Sequence, residues 1–207
     1  MALNTYALLQ TSIADQLNRT DLTAEIKDAI LLTEKRLNRV LKYPKLEKRA
    51  TATLNAEFEA VPSDMLEMVS IKLKTNPEST VEQVSYDQLH ELVPSTSTGK
   101  PRYFARQGKE LTFRPIPDAT GYTAELIYQA EIAALSDSNT TNDVLTDFPD
   151  LYLYGSLIHM EAHVKNDERI ALWTTLFNEA LLEAQKNSQA SKYGGGLLRM
   201  KPGFAVT

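Results

Sequence analysis

FPDLYLYGSLIHMEAHVKNDERIALWTTLFNEALLEAQKNSQASKYGGG, residues 148–196, is the stretch whose reading decides the fold. Pro149 suits a first helical turn after Asp147 or Phe148, because its missing N–H is unpaired there anyway. Leu151, Tyr154, Ile158 and Ala162 define one helical face, and Leu153, Leu157, Met160 and Val164 define another. That spacing predicts a helix buried nearly all round. Asn166 is a good cap for a second helix, with Asp167 and Glu168 at its positive end. Ile170, Trp173, Phe177, Ala180, Leu181 and Ala184 form its stripe. Beyond Ala184 the segment QKNSQASK has no apolar face, so distal turns of this helix are expected to gain no packing within the chain. Continued to Ala190, the helix reaches about 36 Å at about 1.5 Å per residue. Gly194 to Gly196 then read as a helix stop or hinge.

Upstream, the period changes twice. Asn4 can cap a helix to about Asn18, with Tyr6, Leu9, Ile13 and Leu17 at helical spacing. Thr20 or Asp21 can cap a second, with Leu22, Ile26, Ala29, Ile30, Thr33 and Leu37 inward, until Pro44 ends it. From Ala50 to Ala60 the alternation Ala50, Ala52, Leu54, Ala56, Phe58, Ala60 predicts one half-buried strand, or two short ones around Asn55 to Glu57. Val69, Ile71 and Leu73 predict another strand. Tyr86 to Leu92 reads as a short helix, RYFAR and ELTFRP around Gln107-Gly108 as a β-hairpin, and Tyr122 to Ala130 as a further strand. The expected fold class is α+β, mainly helical. It comprises an N-terminal helical hairpin (1–45), a small antiparallel β-sheet module (48–132), two C-terminal helices (147–190) and an extended C-terminal tail.

The 207 residues, 43% hydrophobic and 24% charged, are ordinary for one globular domain with extensions. No cysteine is present, which removes disulfides, thiolate metal sites and thiol nucleophiles. No basic start with an apolar core opens the chain and no run approaches a membrane span, so a soluble protein without a signal peptide is expected. The net charge of −5 is segregated. Residues 34–49 sum to +5, residues 110–190 to −9 and residues 191–207 to +3. Such segregation suits docking of unlike surfaces better than general nucleic-acid binding, and it also fits a solvated helix end.

No stretch reads as a reaction centre. His159 and His163 lie four apart on one helix face, as in HExxH metalloproteases, but in HMEAH the glutamate is misplaced for a general base. A metal-dependent hydrolase using them is the enzymatic alternative, and no cofactor is expected. Gly194 to Gly196 lack the strand, helix and Gly-Lys-Ser/Thr ending of a P-loop. Ser12, Ser63, Ser156 and Ser188 lack a nucleophile-elbow context. Tyr193, Leu197, Leu198, Met200 and Phe204, interspersed with Arg199 and Lys201, suit a segment that orders on a neighbouring protein.

The order of small marks along residues 48–190 is informative: VPSD at 61–64, Gly99-x-Pro101, the Gly108 hairpin, PIPD at 115–118, a strand ending near Tyr128, then Leu135-Ser136, Asn142, YLYGSL, and Asp167 to Trp173 to Phe177. This layout resembles the adaptor, or head-to-tail connector, proteins of short-tailed bacteriophages. The resemblance implies a non-enzymatic virion protein made in the host bacterial cytoplasm and placed in the neck. It implies a homo-oligomeric ring, usually of twelve copies, beneath the portal protein and above the tail nozzle or tail tube, with phage DNA passing through the lumen and no membrane partner. Residues 1–190 would then be the adaptor domain and 191–207 a docking tail. Gln185, Lys186, Gln189, Tyr193, Leu197, Leu198, Arg199, Met200 and Phe204 would meet the portal, while Lys35, Arg39, Lys42 and Lys45 would contact DNA or an acidic partner. The −9 region would line part of the channel. Another neck component, a head-completion or tail-terminator ring protein, is the alternative within the same class.

Overall fold

The structure, a computed structural model, describes residues 3–118, 121–164 and 167–193. In chain order they form α1 (Tyr6–Leu17), α2 (Thr23–Val40), a 3-10 turn (Pro44–Leu46), β1 (Glu47–Leu54), β2 (Phe58–Ala60), β3 (Met65–Leu73) and β4 (Ser79–Gln83). Then follow α3 (Tyr86–Leu92), β5 (Tyr103–Gln107), β6 (Glu110–Arg114), β7 (Tyr122–Ala130), α4 (Asp143–Asp147), α5 (Pro149–Val164) and α6 (Asp167–Tyr193). The described residues form six helices and a curled seven-stranded sheet, so the fold is α+β rather than mainly helical. It divides into a helical unit, Met1–Pro44 with Ala134–Thr207, and a sheet unit, Lys45–Ala133.

In the helical unit α5 is the common partner of α1, α2, α4 and α6. The expected burial of α5 nearly all round forms along most of the helix: Leu151, Tyr152, Gly155, Ser156, Leu157, Met160 and Glu161 are buried, Tyr154, Ile158 and Val164 are half-buried, and Ala162 and His163 are exposed. At Gly155-Ser156 the absence of bulk lets α2 and α6 approach closely. A Cβ on Gly155 would overlap Thr33 Cγ2 and press on Phe177 Cε2 at 3.2 Å. Thr33 Oγ1 donates to the Ala29 carbonyl at 2.8 Å and lies 3.4 Å from Ser156 Oγ. Gly155→Ala is therefore expected to cost about 1–3 kcal/mol through overpacking, more than the roughly 1 kcal/mol that alanine gains in helix propensity. Adding Thr33→Ser, which keeps the hydroxyl and removes the overlapping methyl, should recover most of the loss. Additive effects in that double-mutant cycle would disprove the contact.

The helix starts differ from expectation. Thr5, not Asn4, caps α1, its Oγ1 accepting from Leu8 N at 3.4 Å. Neither Thr20 nor Asp21 caps α2, whose N-cap Leu22 makes no side-chain bond. Asp21 is held instead by Arg19 at 2.6 Å. The inward face of α2 is the expected one with Glu34 added. The α4 turn was not anticipated, and Asn142 caps it by accepting from Leu145 N at 2.7 Å. The proposed cap Asn166 lies outside the described residues.

The sheet unit orders its strands β1-β7-β3-β4-β5-β6-β2. All pairings are antiparallel except β4 with β5, so the sheet is mostly antiparallel, as expected, and larger than the small module expected. Its core gathers Leu54, Met68, Ile71, Leu73, Val81, Phe104, Leu111, Phe113, Leu126 and Tyr128. The alternation from Ala50 to Ala60 is two strands that end at opposite edges of the sheet, β1 on β7 and β2 on β6. The phase inverts between them. Leu54 is buried, but Phe58 is exposed and Glu57 and Glu59 turn partly inward. In β3 an irregularity between Met68 and Ser70 sends Val69 outward and Met68 inward. The β5–β6 hairpin turns at Gly108, whose φ of 62° lies in the left-handed region that glycine adopts freely. Asp64, of VPSD, accepts from Lys48 Nζ at 2.6 Å and Tyr128 OH at 3.1 Å, joining the start of β3 to β1 and β7.

Candidate functional site

The helical unit is built to hold α6 firmly along most of its 27 residues, about 40 Å of helix. Near its start, Glu161 of α5 is buried and accepts from Trp173 Nε1 at 3.3 Å while pairing with Arg169 Nη1 at 3.1 Å. Tyr154 stacks on Trp173 with centroids 5.9 Å apart, and Arg169 reaches the Gln16 carbonyl at the end of α1. Midway, the guanidinium of Arg36 lies 4.2 Å from the Phe177 ring centroid. Farther on, Ala184 and Ser188 are buried, and Gln185 donates from Nε2 to the Val40 carbonyl at 3.2 Å. This last contact corrects the expectation that packing stops at Ala184. A serine can be buried because its hydroxyl bonds back to the Ala184 carbonyl at 2.7 Å.

Of the predicted docking residues, Gln185 is therefore tied to the end of α2, and Lys186 is exposed. Gln189 and Tyr193 lie on the α6 backbone, with side chains outside the described residues. Leu197, Leu198, Arg199, Met200 and Phe204 lie outside them altogether, as do Gly194 to Gly196.

The basic run separates on folding. Lys35 and Arg39 are exposed on α2 and Lys42 follows it, whereas Lys45 belongs to the sheet unit. Arg36 covers Phe177, Lys48 pairs with Asp64, and Arg49 approaches Glu125 at 3.8 Å. The −9 segment is also divided. Glu110, Asp118, Glu125 and Glu131 fall in the sheet unit and the remaining acids in the helical unit. Two of those pair with cations within the unit, Glu161 with Arg169 and Asp137 with Lys27 at 2.9 Å, and Asp147 accepts a hydrogen bond from Tyr43 OH at 2.6 Å.

His159 and His163 do share a face of α5, where they border a cleft of about 170 Å³ with Glu25, Asp28, Ala29, Leu32 and Met160. Among the described residues no three potential ligands come together as a metal site. His159 Nε2 is buried without a hydrogen-bond partner, and burial, then the positive charge of Arg36, lower its pKa. The folded state thus resists a proton that the unfolded chain accepts near pH 6.5. This contribution to stability is intact above about pH 6.5 and is lost as pH falls toward the lower folded value. Melting at pH 7 and pH 5 should show a smaller drop for His159→Phe than for the unaltered protein. Equal drops would remove His159 from the acid response.

The sequence reading missed the leucines that point outward. Leu31 and Leu32 on α2 are 47% and 51% exposed, and Leu172 and Leu182 on α6 are 53% and 56% exposed. A helical-wheel reading could have found them as apolar residues lying off the buried stripe. No described helix is long and apolar enough to cross a membrane. The helical unit therefore presents a long braced helix and exposed leucines on α2 and α6. No curated protein matches the chain. The family model described as SU10 adaptor protein matches residues 4–200, and over that span the chain belongs to the SU10 adaptor protein family, a family of phage adaptor structural proteins.

Proposed function

We propose that this adaptor is the subunit of a ring, of about twelve copies, that joins the capsid portal to the tail in the virion neck and lets DNA pass through its lumen. Family membership across residues 4–200 carries this reading. The braced α6 supports it, since a helix fixed as far as Ser188 gives a rigid base from which later residues can reach a partner. Residues 1–190 form the ring body in this proposal, and 191–207 form the portal-docking tail. Docking begins at Lys186, Gln189 and Tyr193 and continues through the anchors Leu197, Leu198, Met200 and Phe204, with Arg199 among them. Lys35, Arg39, Lys42 and Lys45 serve acidic partners or DNA.

The test is to mix purified protein with portal rings of its own phage and image the product, with and without residues 191–207. Full-length protein should add a second ring on the tail side of the portal, and the truncated form should not. Absence of the ring with full-length protein would end the adaptor-ring reading. Unchanged attachment after truncation would end the docking role of the tail.

A further inference from the structure

From the outward faces of α2 and α6 we infer that adjacent copies in the ring meet through an antiparallel seam between α2 of one copy and α6 of the next. The inference rests on the ring reading and names its subunit contact; in it Lys186, Lys35 and Arg39 face a neighbouring copy, so portal docking starts at Gln189 and the contact with DNA or an acidic partner is left to Lys42 and Lys45. On α2, Asp28, Leu32, Lys35 and Arg39 follow one another at intervals of four, three and four residues, and all four are exposed. On α6, Thr175, Glu179, Leu182 and Lys186 repeat that spacing and are also exposed. Four-three-four spacing keeps side chains on one helix face, as in the seam of a coiled coil.

Laid antiparallel in a single register, the two faces complement each other at three of four positions. Asp28 comes opposite Lys186, Leu32 opposite Leu182, Lys35 opposite Glu179, and Arg39 opposite Thr175. The charges attract in both pairs, and the two half-exposed leucines cover each other between them. Leu31 borders the same seam.

The faces belong to different helices that both pack on α5, and the described side-chain contacts between α2 and α6 are made by Arg36 with Phe177 and by Gln185 with Val40. A contact between unlike faces is heterologous, so an open series always ends in one uncovered face of each kind and continues until it closes. A seam of four residues per side is small against the roughly 1,600 Å² of a standard stable interface. Single contacts are accordingly weak, which suits copies that remain separate until a template gathers them.

The chain has no cysteine, so engineered thiols report without background. Arg39→Cys and Thr175→Cys change the one opposed pair that carries neither a leucine nor a charge match. The full chain bearing both should give a ladder of dimers, trimers and higher products with a short bismaleimide cross-linker, whether concentrated alone or mixed with portal rings. Each single-cysteine chain should stay monomeric. Lys35→Glu in the double-cysteine background should cut the ladder at least about tenfold, and adding Glu179→Lys should restore it. Products that stop at a dimer, or a dimer from either single variant, would mean that like faces meet and would overturn the seam. Rings visible on the portal without a ladder would also overturn it while leaving the ring standing. Absence of both would remove the ring reading and the seam together.

Discussion

Glu34→Ala is expected to lower the stability of the helical unit by about 3–5 kcal/mol, since two buried donors lose their acceptor at about 1–3 kcal/mol each and a void is left. Glu34 is 3% exposed on α2. Its Oε1 accepts from the Leu135 backbone N–H at 2.8 Å and from Tyr152 OH at 3.1 Å. Tyr152 OH in turn accepts from Asn142 Nδ2 at 2.7 Å, and Asn142 caps α4. Burial first, and then the Glu34 carboxylate, hold the Tyr152 hydroxyl protonated well beyond the usual tyrosine range, so it remains a donor. Alanine would strand a buried N–H and a buried hydroxyl and leave a void. Trp173, the single tryptophan, lies in this unit, so its fluorescence follows the transition. The midpoint should fall by roughly 15 °C or more. Glu34→Gln, which keeps an acceptor oxygen, should lose much less, and equal losses in the two variants would refute the acceptor role.

Glu57→Ala should have the second large effect, about 3 kcal/mol, in the sheet unit. Arg114 is 2% exposed at the end of β6. Its Nη2 donates to Glu57 Oε1 at 2.6 Å and its Nη1 to the Phe113 carbonyl at 3.1 Å, while Nε has no partner. Removing Glu57 leaves a buried guanidinium without its counter-charge, an arrangement that costs about 3–5 kcal/mol in other buried pairs. The lower end applies because the Glu57 side chain is 29% exposed and water can reach the vacated place. Amide exchange along β6 measures the loss. The double change Glu57→Ala with Arg114→Met should recover most of it, since an apolar group needs no counter-ion. Failure of that rescue would mean that Glu57 acts through the β1–β2 connection rather than through the charge.

These two carboxylates also mark the limit of what could be read from the chain. Periodicity is legible where one rule acts alone: α3, the Gly108 hairpin, β7 and the inward face of α2 emerge as expected. The small marks at Asp64, Leu135 and Asn142 have physical counterparts, because each supplies a backbone or side-chain hydrogen bond to a distant segment. The burial of Glu34 and Arg114 is not legible in the sequence, since residue type says nothing of a partner 101 or 57 positions away. The inverted phase of β2 was hidden because alanines and Phe58 continue the alternation across the break. A five-residue helix such as α4 is too short to show a 3.6-residue period. On α6 the stripe was found, but the outward leucines that serve the proposed seam fall outside any inward pattern, and the last packed turn uses a serine.

The helical unit is discontinuous, with the whole sheet unit encoded between Pro44 and Ala134. On the ribosome this fixes an order of events. Ile26, Ile30 and Leu37 of α2 emerge early, yet α5 is made far later, Ser156 coming 123 positions after its neighbour Thr33, a delay on the order of 10 s at bacterial synthesis rates. The sheet unit is continuous and can be finished during that wait. A nascent chain stalled inside it would carry two orphaned helices with their apolar faces bare, so unfinished copies are the aggregation-prone species and prime clients for chaperones or proteases.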